Sequence, residues 1–187
     1  MRESGLQSKY RRPRAKNAHT MKQGDKETRL IHENLIARIV HERSYVGQAN
    51  KIWCADFTQM GSRDGKVYVC GAIDIGSRKI VGYSFGSIEN STNVTRMLEN
   101  ALQKHTRPEI FHSDRGPGFV SVRTKEFLDD AKIDGSMSAP HRPNQNQFIE
   151  TFGKTMKTEI GRTKEMGARE FCVTGMYYIN WHNIAIL

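Results

Sequence analysis

The sequence has no long apolar run and few cysteines. None of its apolar stretches approaches the ~20 residues that a membrane-spanning helix needs, and no signal-peptide core is present near the N-terminus. Cys54, Cys70 and Cys172 are odd in number and scattered, unlike the paired spacing of a disulfide framework or a zinc site. We therefore expect a cytoplasmic protein without a membrane partner, whose thiols are reduced and mostly buried.

Acidic residues are also in deficit. The chain has 20 Asp and Glu against 29 Lys and Arg, a net charge of +9 over 187 residues. Residues 1–50 hold eleven basic and five acidic side chains, so most of the excess lies at the front of the chain. Such a balance favours a polyanionic partner without identifying it. The length fits one domain of ordinary size with an N-terminal extension.

Residues 1–30 lack the apolar periodicity of a folded segment. Their polar composition cannot offset the entropy lost on ordering, so we expect them to be flexible in the free protein. Arg11, Arg12 and Arg14 form the densest basic cluster, which is either part of a solvated linker or an arm that lies along DNA phosphates. The pattern at residues 30–40 predicts a short amphipathic helix.

Apolar patterning then predicts an α/β fold with a five-stranded mixed sheet flanked by helices. Three β-rich runs separated by short Gly, Ser and Asp turns predict an antiparallel meander. We place strands at residues 51–60, 66–76, 79–87, 109–113 and 135–139, and helices at 91–104, 124–132, from about 145, and at 168–180. Asn90 or Ser91 is the expected N-cap of the first of these helices. We divide the chain into a basic extension, residues 1–45, and a core, residues 46–187.

Three carboxylates occupy positions that are unusual for surface residues. Asp56 lies in a strand that is otherwise apolar, where a charge is costly unless it is paired or bound to a metal. Asp74 invites the same argument, but we favour a structural role for it, as a cap of the turn at residues 76–78. Asp114 ends a strand before a Gly-rich break, a position that faces a cleft.

The predicted helix that follows residue 145 carries a polar face. At about 100° per residue, Asn146, Glu150 and Lys157 lie within about 40° of one another, with Lys154 close by. The opposite side is apolar: Phe148, Phe152, Met156 and Ile160. One reading is a metal-binding carboxylate flanked by an amide and two cations suited to a DNA backbone. The other is a solvated face on which Glu150 and Lys154 form an i,i+4 pair.

Two further polar positions have open interpretations. His112 fits a half-buried histidine with satisfied hydrogen bonds better than a ligand. His141 and Arg142 lie between two prolines, where they contact DNA or cap a loop. Any single residue of this kind is weak evidence. The joint pattern is stronger: Asp56 in a first strand, Asp114 ending a fourth, and Glu150 on a later helix with 35 residues between the last two.

With these motifs the sequence resembles the D-D-E transposase and retroviral integrase superfamily. It is most similar to the catalytic product of bacterial insertion sequences that have two overlapping reading frames. The resemblance covers about residues 34–183 and is carried by residues 50–58, 72–84, 112–116 and 146–159. It implies a ribonuclease-H-like catalytic core in a bacterial, nucleoid-associated protein.

The resemblance also implies the chemistry. Asp56, Asp114 and Glu150 would be catalytic, metal-binding acids, with Asn146 and Lys157 as helpers. Two Mg²⁺ ions, for which Mn²⁺ could substitute, would support cleavage and strand transfer of DNA by in-line displacement. Lys154 and Lys157 would position phosphates rather than read bases. The implied partners are DNA (element ends and target), further copies of the chain, and the DNA-binding product of the upstream frame.

Two departures from the family leave alternatives open. Residues 1–33 are too short and polar for the helix-turn-helix-like region that usually precedes the core, and the Arg-containing tail is missing after Leu187. We therefore expect a core that is truncated at its C-terminus. The alternatives to an active transposase subunit are a catalytically degenerate fragment that only binds nucleic acid, and a stand-alone nuclease on the same fold.

Overall fold

A computed structural model describes residues 34–42, 44–139 and 146–186 of the chain. Arg11, Arg12 and Arg14, and likewise His141 and Arg142, lie outside the described residues. Within them the elements are, in order, α1 (Ala37–His41), β1 (Ile52–Ser62), β2 (Gly65–Asp74), β3 (Ile80–Gly86), α2 (Ser91–Leu102), β4 (Ile110–Ser113), α3 (Val122–Asp130), β5 (Asp134–Met137), α4 (Gln147–Ile160), a 3₁₀ turn (Thr163–Glu165) and α5 (Ala168–Ala185). In this part of the chain no helix is long and apolar enough to cross a membrane.

The strands form one mixed sheet in the order β3-β2-β1-β4-β5. The first three strands pair antiparallel, β4 pairs parallel to β1, and β5 pairs parallel to β4. A parallel neighbour needs a crossover connection, and helices α2 and α3 lie in the two crossovers. The predicted mixed five-stranded sheet is confirmed.

Some element boundaries differ from the prediction. The first turn was expected at residues 61–65, but β1 continues to Ser62 and β2 already begins at Gly65. Gly65 has a φ of 121°, which a side chain would disfavour, and so closes this shorter turn. Helix α5 also extends to Ala185, beyond the expected end at residue 180.

Strand β1 is buried on both faces at its beginning, as its mixed apolar composition predicted. Successive side chains point to opposite faces of a sheet, so β1 supplies two cores. Ile52 and Cys54 belong to a cluster with residues of α4 and α5, including Ile149, Phe152, Met156 and Phe171. Trp53 and Ala55 belong to a second cluster with residues of α2, including Val94, Met97 and Leu98. The sheet is thus covered on both sides, and β1 runs through its centre.

Candidate active site

Asp56 lies on the central strand, at the point where β1 changes from fully buried to half-buried residues. Its Oδ1 accepts a hydrogen bond from the backbone N–H of Phe57 at 2.8 Å. Burial above all, together with the negative charges of Asp114, Glu150 and Glu89, raises the pKa of the Asp56 carboxyl to about 7 against the lowering effect of that hydrogen bond. Asp56 is therefore a poorly solvated carboxyl that faces other carboxylates.

Asp114 comes next to Asp56 because of the strand register. Ala55 on β1 is paired with Ser113 on β4 in a parallel ladder, so Asp56, within β1, and Asp114, just after β4, lie side by side. The Oδ1 of Asp114 accepts a hydrogen bond from the Gly116 N–H at 2.8 Å. A Cβ on residue 116 would lie 3.0 Å from that same oxygen, so glycine lets the turn close around the carboxylate.

Glu150 reaches the site from the first turn of α4. This helix lies close to β1 because Gly153 has no side chain, and a Cβ there would collide with the Oγ1 of Thr58. A carboxylate oxygen of Glu150 lies 3.8 Å from the Lys154 ammonium, the i,i+4 pair that the sequence suggested. Glu150 is 27% exposed and Lys154 is 78% exposed, so the carboxylate points along the protein surface while its partner extends into solvent.

Asp114 and Glu150 both lie within electrostatic reach of Asp56, but the three acids are not drawn together. Among the described residues no three His, Cys, Asp or Glu side chains are already grouped to hold a metal ion. Local interactions account for this: Asp56 and Asp114 accept backbone hydrogen bonds, and Glu150 pairs with Lys154. Three like charges also repel one another. Carboxylate oxygens are the ligands that Mg²⁺ prefers, and a cation would relieve the repulsion that raises the pKa of Asp56, so these residues fit a hard divalent ion.

Asn146 is placed differently from the expectation. It was expected to face a DNA backbone, but it is 1% exposed, and its Nδ2 donates a hydrogen bond to the Ala55 carbonyl at 2.8 Å. Its Oδ1 is buried without a hydrogen-bond partner. The residue precedes the first helical residue and has a φ of −118°, so the helical angles used in the prediction do not apply to it. Asn146 attaches the start of α4 to the strand beside Asp56.

The predicted cationic side chains of α4 are accessible. Lys154 and Lys157 are both exposed, whereas Phe152, Gly153 and Met156 are buried. The helix therefore has the apolar and polar sides that its sequence indicates, with both lysines on the side of Glu150. Contact of these lysines with DNA stays a prediction, as does contact by the basic residues outside the described ranges.

Glu89 was not anticipated as part of the site. It directly precedes Asn90, the N-cap of α2, and its charge acts on the pKa of Asp56. A Cβ on Gly118 would lie 3.0 Å from the Asn90 carbonyl oxygen and 3.1 Å from the Phe57 ring, so the loop before α2 packs beside the Asp114 loop. Nothing local in the sequence marks Glu89, because only this packing brings it near Asp56.

Arg78 is a second residue near the site whose role the sequence did not reveal. It lies in the turn between β2 and β3 with a φ of 66°. Its guanidinium carbon is 4.2 Å from the centroid of the Phe148 ring and 5.6 Å from that of Tyr45. Both distances allow a cation–π interaction. Arg78 therefore connects the β2–β3 turn to the first turn of α4, two residues from Glu150.

Asp74 has the structural role that was predicted. It is fully buried and accepts hydrogen bonds from the Gly76 N–H at 3.4 Å and from the N–H and hydroxyl of Ser77 at 3.1 and 2.5 Å. The carboxylate thereby caps the turn that leads into β3. It faces its own turn and not the carboxylates that act on Asp56.

His112 is satisfied, as predicted, although it is fully buried and not half-buried. Its Nδ1 lies 2.8 Å from the Ser136 hydroxyl and its Nε2 lies 3.0 Å from the Ser138 hydroxyl. Burial lowers the pKa of the imidazole to about 4, so the ring is neutral at physiological pH. His112 on β4 thus binds Ser136 on β5 and Ser138, the residue that follows β5.

The cysteines are free thiols, as predicted. Cys54 and Cys70 are buried, and Cys172 is half-buried. Burial raises the pKa of all three thiols, which leaves them protonated and unreactive.

Comparison with known proteins gives a family match to the integrase core domain over residues 47–143. Two bacterial relatives are a transposase for insertion sequence element IS904 from Lactococcus lactis and the transposase InsF for insertion sequence IS3A from Escherichia coli. The first is 34% identical over 113 residues, covering 59% of this chain and 45% of the relative. The second is 27% identical over 175 residues, covering 91% of this chain and 57% of the relative. The chain thus spans about half the length of the curated relatives it matches.

Solved structures with a similar fold include two from T-cell lymphotropic viruses. One is a simian T-cell lymphotropic virus intasome in complex with a PP2A regulatory subunit, at 21% identity and a TM-score of 0.56, covering 59% of this chain and 39% of that chain. Another is the HTLV-2 integrase catalytic core domain in complex with magnesium, at 22% identity and a TM-score of 0.51, covering 59% and 68%. The predicted ribonuclease-H-like fold is confirmed.

Proposed function

This chain belongs to the integrase core domain family, and from that premise we propose that it is a transposase core that cleaves and joins DNA strands by in-line phosphoryl transfer. The observation that carries the proposal is the approach of Asp56, Asp114 and Glu150 from three separate elements. Asp56 responds to the charges of the other two, although 57 residues separate Asp56 from Asp114. A structural role does not account for three acids that lie beside the centre of the sheet with one backbone hydrogen bond or one exposed ion pair each.

These acids would hold the ions. When bound, two Mg²⁺ ions, or Mn²⁺ in their place, would supply Lewis-acid stabilisation of the attacking and leaving oxygens of a phosphodiester. Asp56 contributes a ligand from a rigid central strand, and Asp114 contributes one from a turn closed by glycine. Glu150 contributes the third ligand from α4. Its side chain can move from Lys154 towards the strands.

Other residues would hold the acids and the DNA in place. Asn146 and Arg78 fix the first turn of α4, the former through Ala55 and the latter through Phe148. Lys154 and Lys157 would contact phosphates on either side of the reacting one, which positions DNA without reading its sequence. Water as nucleophile gives strand cleavage and a DNA 3′-hydroxyl gives strand transfer.

The partners follow from the same proposal. The substrates would be the ends of an insertion sequence and a target DNA, bound by more than one copy of this chain on the bacterial nucleoid. The upstream-frame product would supply recognition of the element ends. The bacterial transposases that the chain matches support this choice of substrate.

The test uses an oligonucleotide that carries the element's ends, incubated with Mg²⁺. We expect Asp56→Ala, Asp114→Ala and Glu150→Ala each to abolish cleavage and joining while DNA binding in a gel-shift assay is largely kept. Glu126→Ala, which removes an exposed carboxylate on α3, is the matched control and should remain active.

Each other outcome has a definite meaning. Strand transfer retained by Asp114→Ala or Glu150→Ala refutes the assignment. Hydrolysis without joining by the unaltered chain indicates a stand-alone nuclease. DNA binding without any reaction indicates a catalytically degenerate fragment.

A further inference from the structure

Three neighbouring parallel strands each place one residue in a row beside the site. Asp56, Asp114 and Ser138 form this row across β1, β4 and β5, because the residue before each of them is paired with its neighbours in the ladder. The backbone N–H of Ser138 donates to the Ser113 carbonyl at 2.9 Å, which continues the ladder past the end of β5. Adjacent strands are about 4.8 Å apart, so Ser138 lies about 10 Å from Asp56, on the far side of Asp114.

Arg115 extends along this row towards β5. It directly follows Asp114, and its Nε donates a hydrogen bond to the Ser138 carbonyl at 3.1 Å. It belongs to the motif at residues 112–116 that carries part of the family resemblance. Because the carbonyl that it contacts is on the β5 side of Asp114, the Arg115 side chain is directed away from Asp56.

The carbonyl that holds Arg115 is itself fixed. Ser138 is only 6% exposed, and its hydroxyl lies 3.0 Å from the Nε2 of His112, which is fully buried. With the backbone N–H bound to Ser113, each polar group of Ser138 has a partner. An arginine held by such an anchor loses less side-chain entropy when it binds a ligand than a freely rotating one does.

The charge of Arg115 is not neutralised by the acids beside it. Arg115 is exposed, and among the described residues no Asp or Glu forms an ion pair with it. The pKa of Asp56 is raised by burial and by neighbouring carboxylates, and the hydrogen bond from Phe57, not the charge of Arg115, lowers it. Arginine commonly pairs with a carboxylate, and the hydrogen bond to Ser138 holds this one away from them.

The free end of the Arg115 side chain fits a phosphate. Its Nε is occupied, so the N–H groups of the two terminal nitrogens remain, and this fork matches two oxygens of one phosphate group. Lys154 and Lys157 lie on α4, which packs against β1 where Gly153 meets Thr58. Arg115 therefore supplies a cation on the β5 side of the acids, and the two lysines supply cations on the β1 side.

We propose that Arg115 binds a phosphate of the DNA substrate next to the one that reacts, with its Nε held by Ser138 and its terminal nitrogens on two phosphate oxygens. The contact positions the DNA backbone and does not read its sequence. This inference rests on the proposed function for the identity of the ligand. It is tested by binding without metal, so its failure and a failure of cleavage are separate results.

The main experiment measures binding by gel shift in EDTA over a salt series, with the oligonucleotide that carries the element's ends as the probe. Arg115→Gln removes the charge, so we expect about tenfold weaker binding and a decrease of about one in the slope of log K against log salt. Circular dichroism and thermal unfolding check that the variant is folded.

Arg107→Gln is the matched control. Arg107 is also exposed, and its Nη1 donates to the Ala131 carbonyl at 3.1 Å. It stands before β4, at the opposite end of that strand from Arg115. The control variant therefore loses the same charge and a similar carbonyl contact far from the acids, and it should keep the slope and affinity of the unaltered chain.

Neutral phosphates locate the contact. In a series of oligonucleotides, one phosphate at a time near the cleaved bond is replaced by an uncharged methylphosphonate. We expect one replacement to weaken binding of the unaltered chain and of Arg107→Gln but to have little further effect on Arg115→Gln, because the two changes remove the same interaction.

A cleavage assay with Mg²⁺ separates binding from reaction. Arg115→Gln should raise the DNA concentration for half-maximal cleavage by about tenfold and largely keep the maximal rate, because the contact is made to a phosphate that does not react. Arg115→Lys keeps the charge without the fork, so it should restore the salt slope and only part of the affinity.

Two results would overturn the inference. One is an equal salt slope and affinity for Arg115→Gln and Arg107→Gln. The other is an Arg115→Gln protein with lower thermal stability and a lower maximal rate but unchanged DNA affinity, which would leave Arg115 only the structural role of tying the Asp114 turn to β5. A chain that binds the oligonucleotide as expected but never cleaves it contradicts the proposed function alone.

Discussion

Asp56 and Asp74 lie on neighbouring strands of the same antiparallel pair, yet they differ in what surrounds them. Asp74 is fully buried and accepts three hydrogen bonds from residues two and three positions further along the chain. Asp56 accepts one hydrogen bond and faces Asp114, Glu150 and Glu89. Both carboxylates sit in apolar strands, and only their partners separate the structural acid, Asp74, from the proposed metal ligand, Asp56.

The two acids differ in whether their carboxylate oxygens are still able to bind a cation. The oxygens of Asp74 accept three hydrogen bonds from its own turn, and the residue is fully buried, so a ligand cannot reach it. Asp56 has three acidic neighbours and one hydrogen-bond donor, so a bound cation would reduce the repulsion among these carboxylates. The following predictions test whether the two acids differ in this way.

The largest effect is expected from Asp56→Asn. The amide has the same shape without the charge, so we expect the rate of strand cleavage to fall by about 10²–10³-fold, the scale of losing one electrostatic stabiliser. Metal-free stability at neutral pH should be kept or increased, because the variant removes repulsion. Cleavage kinetics and urea unfolding measure the two quantities. A stability loss equal to that of an Asp74 variant would remove the distinction between the acids.

The second-largest effect is expected in the pH dependence of stability, because the pKa of Asp56 is raised on folding. Its pKa is raised from 3.8 to about 7 on folding, so the folded state holds the proton more tightly than the unfolded state. The resulting stabilisation is complete below about pH 4 and is lost as the pH rises towards 7, with a size on the order of a few kcal/mol. Urea unfolding in EDTA across this range should show the unaltered chain losing stability relative to Asp56→Asn.

His112 serves as an internal reference for that measurement. Its pKa is lowered to about 4, so its contribution is present above the ordinary value of 6.5 and is lost as the pH falls. This effect has the opposite direction and is common to both proteins, so it cancels in their difference. Parallel stability profiles for the two proteins would contradict the raised pKa of Asp56.

A smaller effect is expected from Asp74→Ala. Removing the carboxylate leaves two half-buried N–H groups and the Ser77 hydroxyl without their acceptor, which should cost about 1–3 kcal/mol of stability. Thermal unfolding measures the loss. Cleavage per folded molecule should be unchanged, and its abolition in folded protein would show that Asp74 has a role in the reaction as well.

The smallest effect is expected from Lys154→Ala. Its pair with Glu150 is largely exposed, so stability should change by less than about 0.5 kcal/mol. Loss of one phosphate contact should reduce the salt dependence of DNA binding by about one unit of slope. Lys125→Ala on α3 is the control and should leave that slope unchanged. Equal slopes for the two variants would remove Lys154 from the DNA interface.

Local features of the fold were predictable because the interactions that create them are local. Asn90 caps α2 by accepting a hydrogen bond from Asn93, three residues away, and Asp74 caps a turn three residues long. The apolar side of α4 follows from helical spacing alone. Boundaries were less predictable: β1 continues through Gly61 because it stays paired with Lys66 on β2, an interaction that composition does not express.

The three proposed catalytic acids could be picked out from the sequence, and the residues that pack around them could not. Asn146 is buried by a contact with Ala55, 91 residues earlier in the chain, and Arg78 stacks on a ring 70 positions later. Glu89 carries no signal of its own. Such contacts depend on which elements pack together, and their residues look like ordinary polar positions when only their neighbours in the chain are considered.

The sequence by itself determined the secondary structure, the basic balance, and which acids are too buried to be ordinary surface residues, because each of these depends on residue type and short-range spacing. Only the tertiary structure decided that Asp56 and Asp114 emerge side by side and that α4 brings Glu150 towards them. The physical reason is that carboxylates repel one another and do not assemble unaided. Burial of the apolar sides of β1, β4 and α4 holds these three elements together and so keeps their acids near one another.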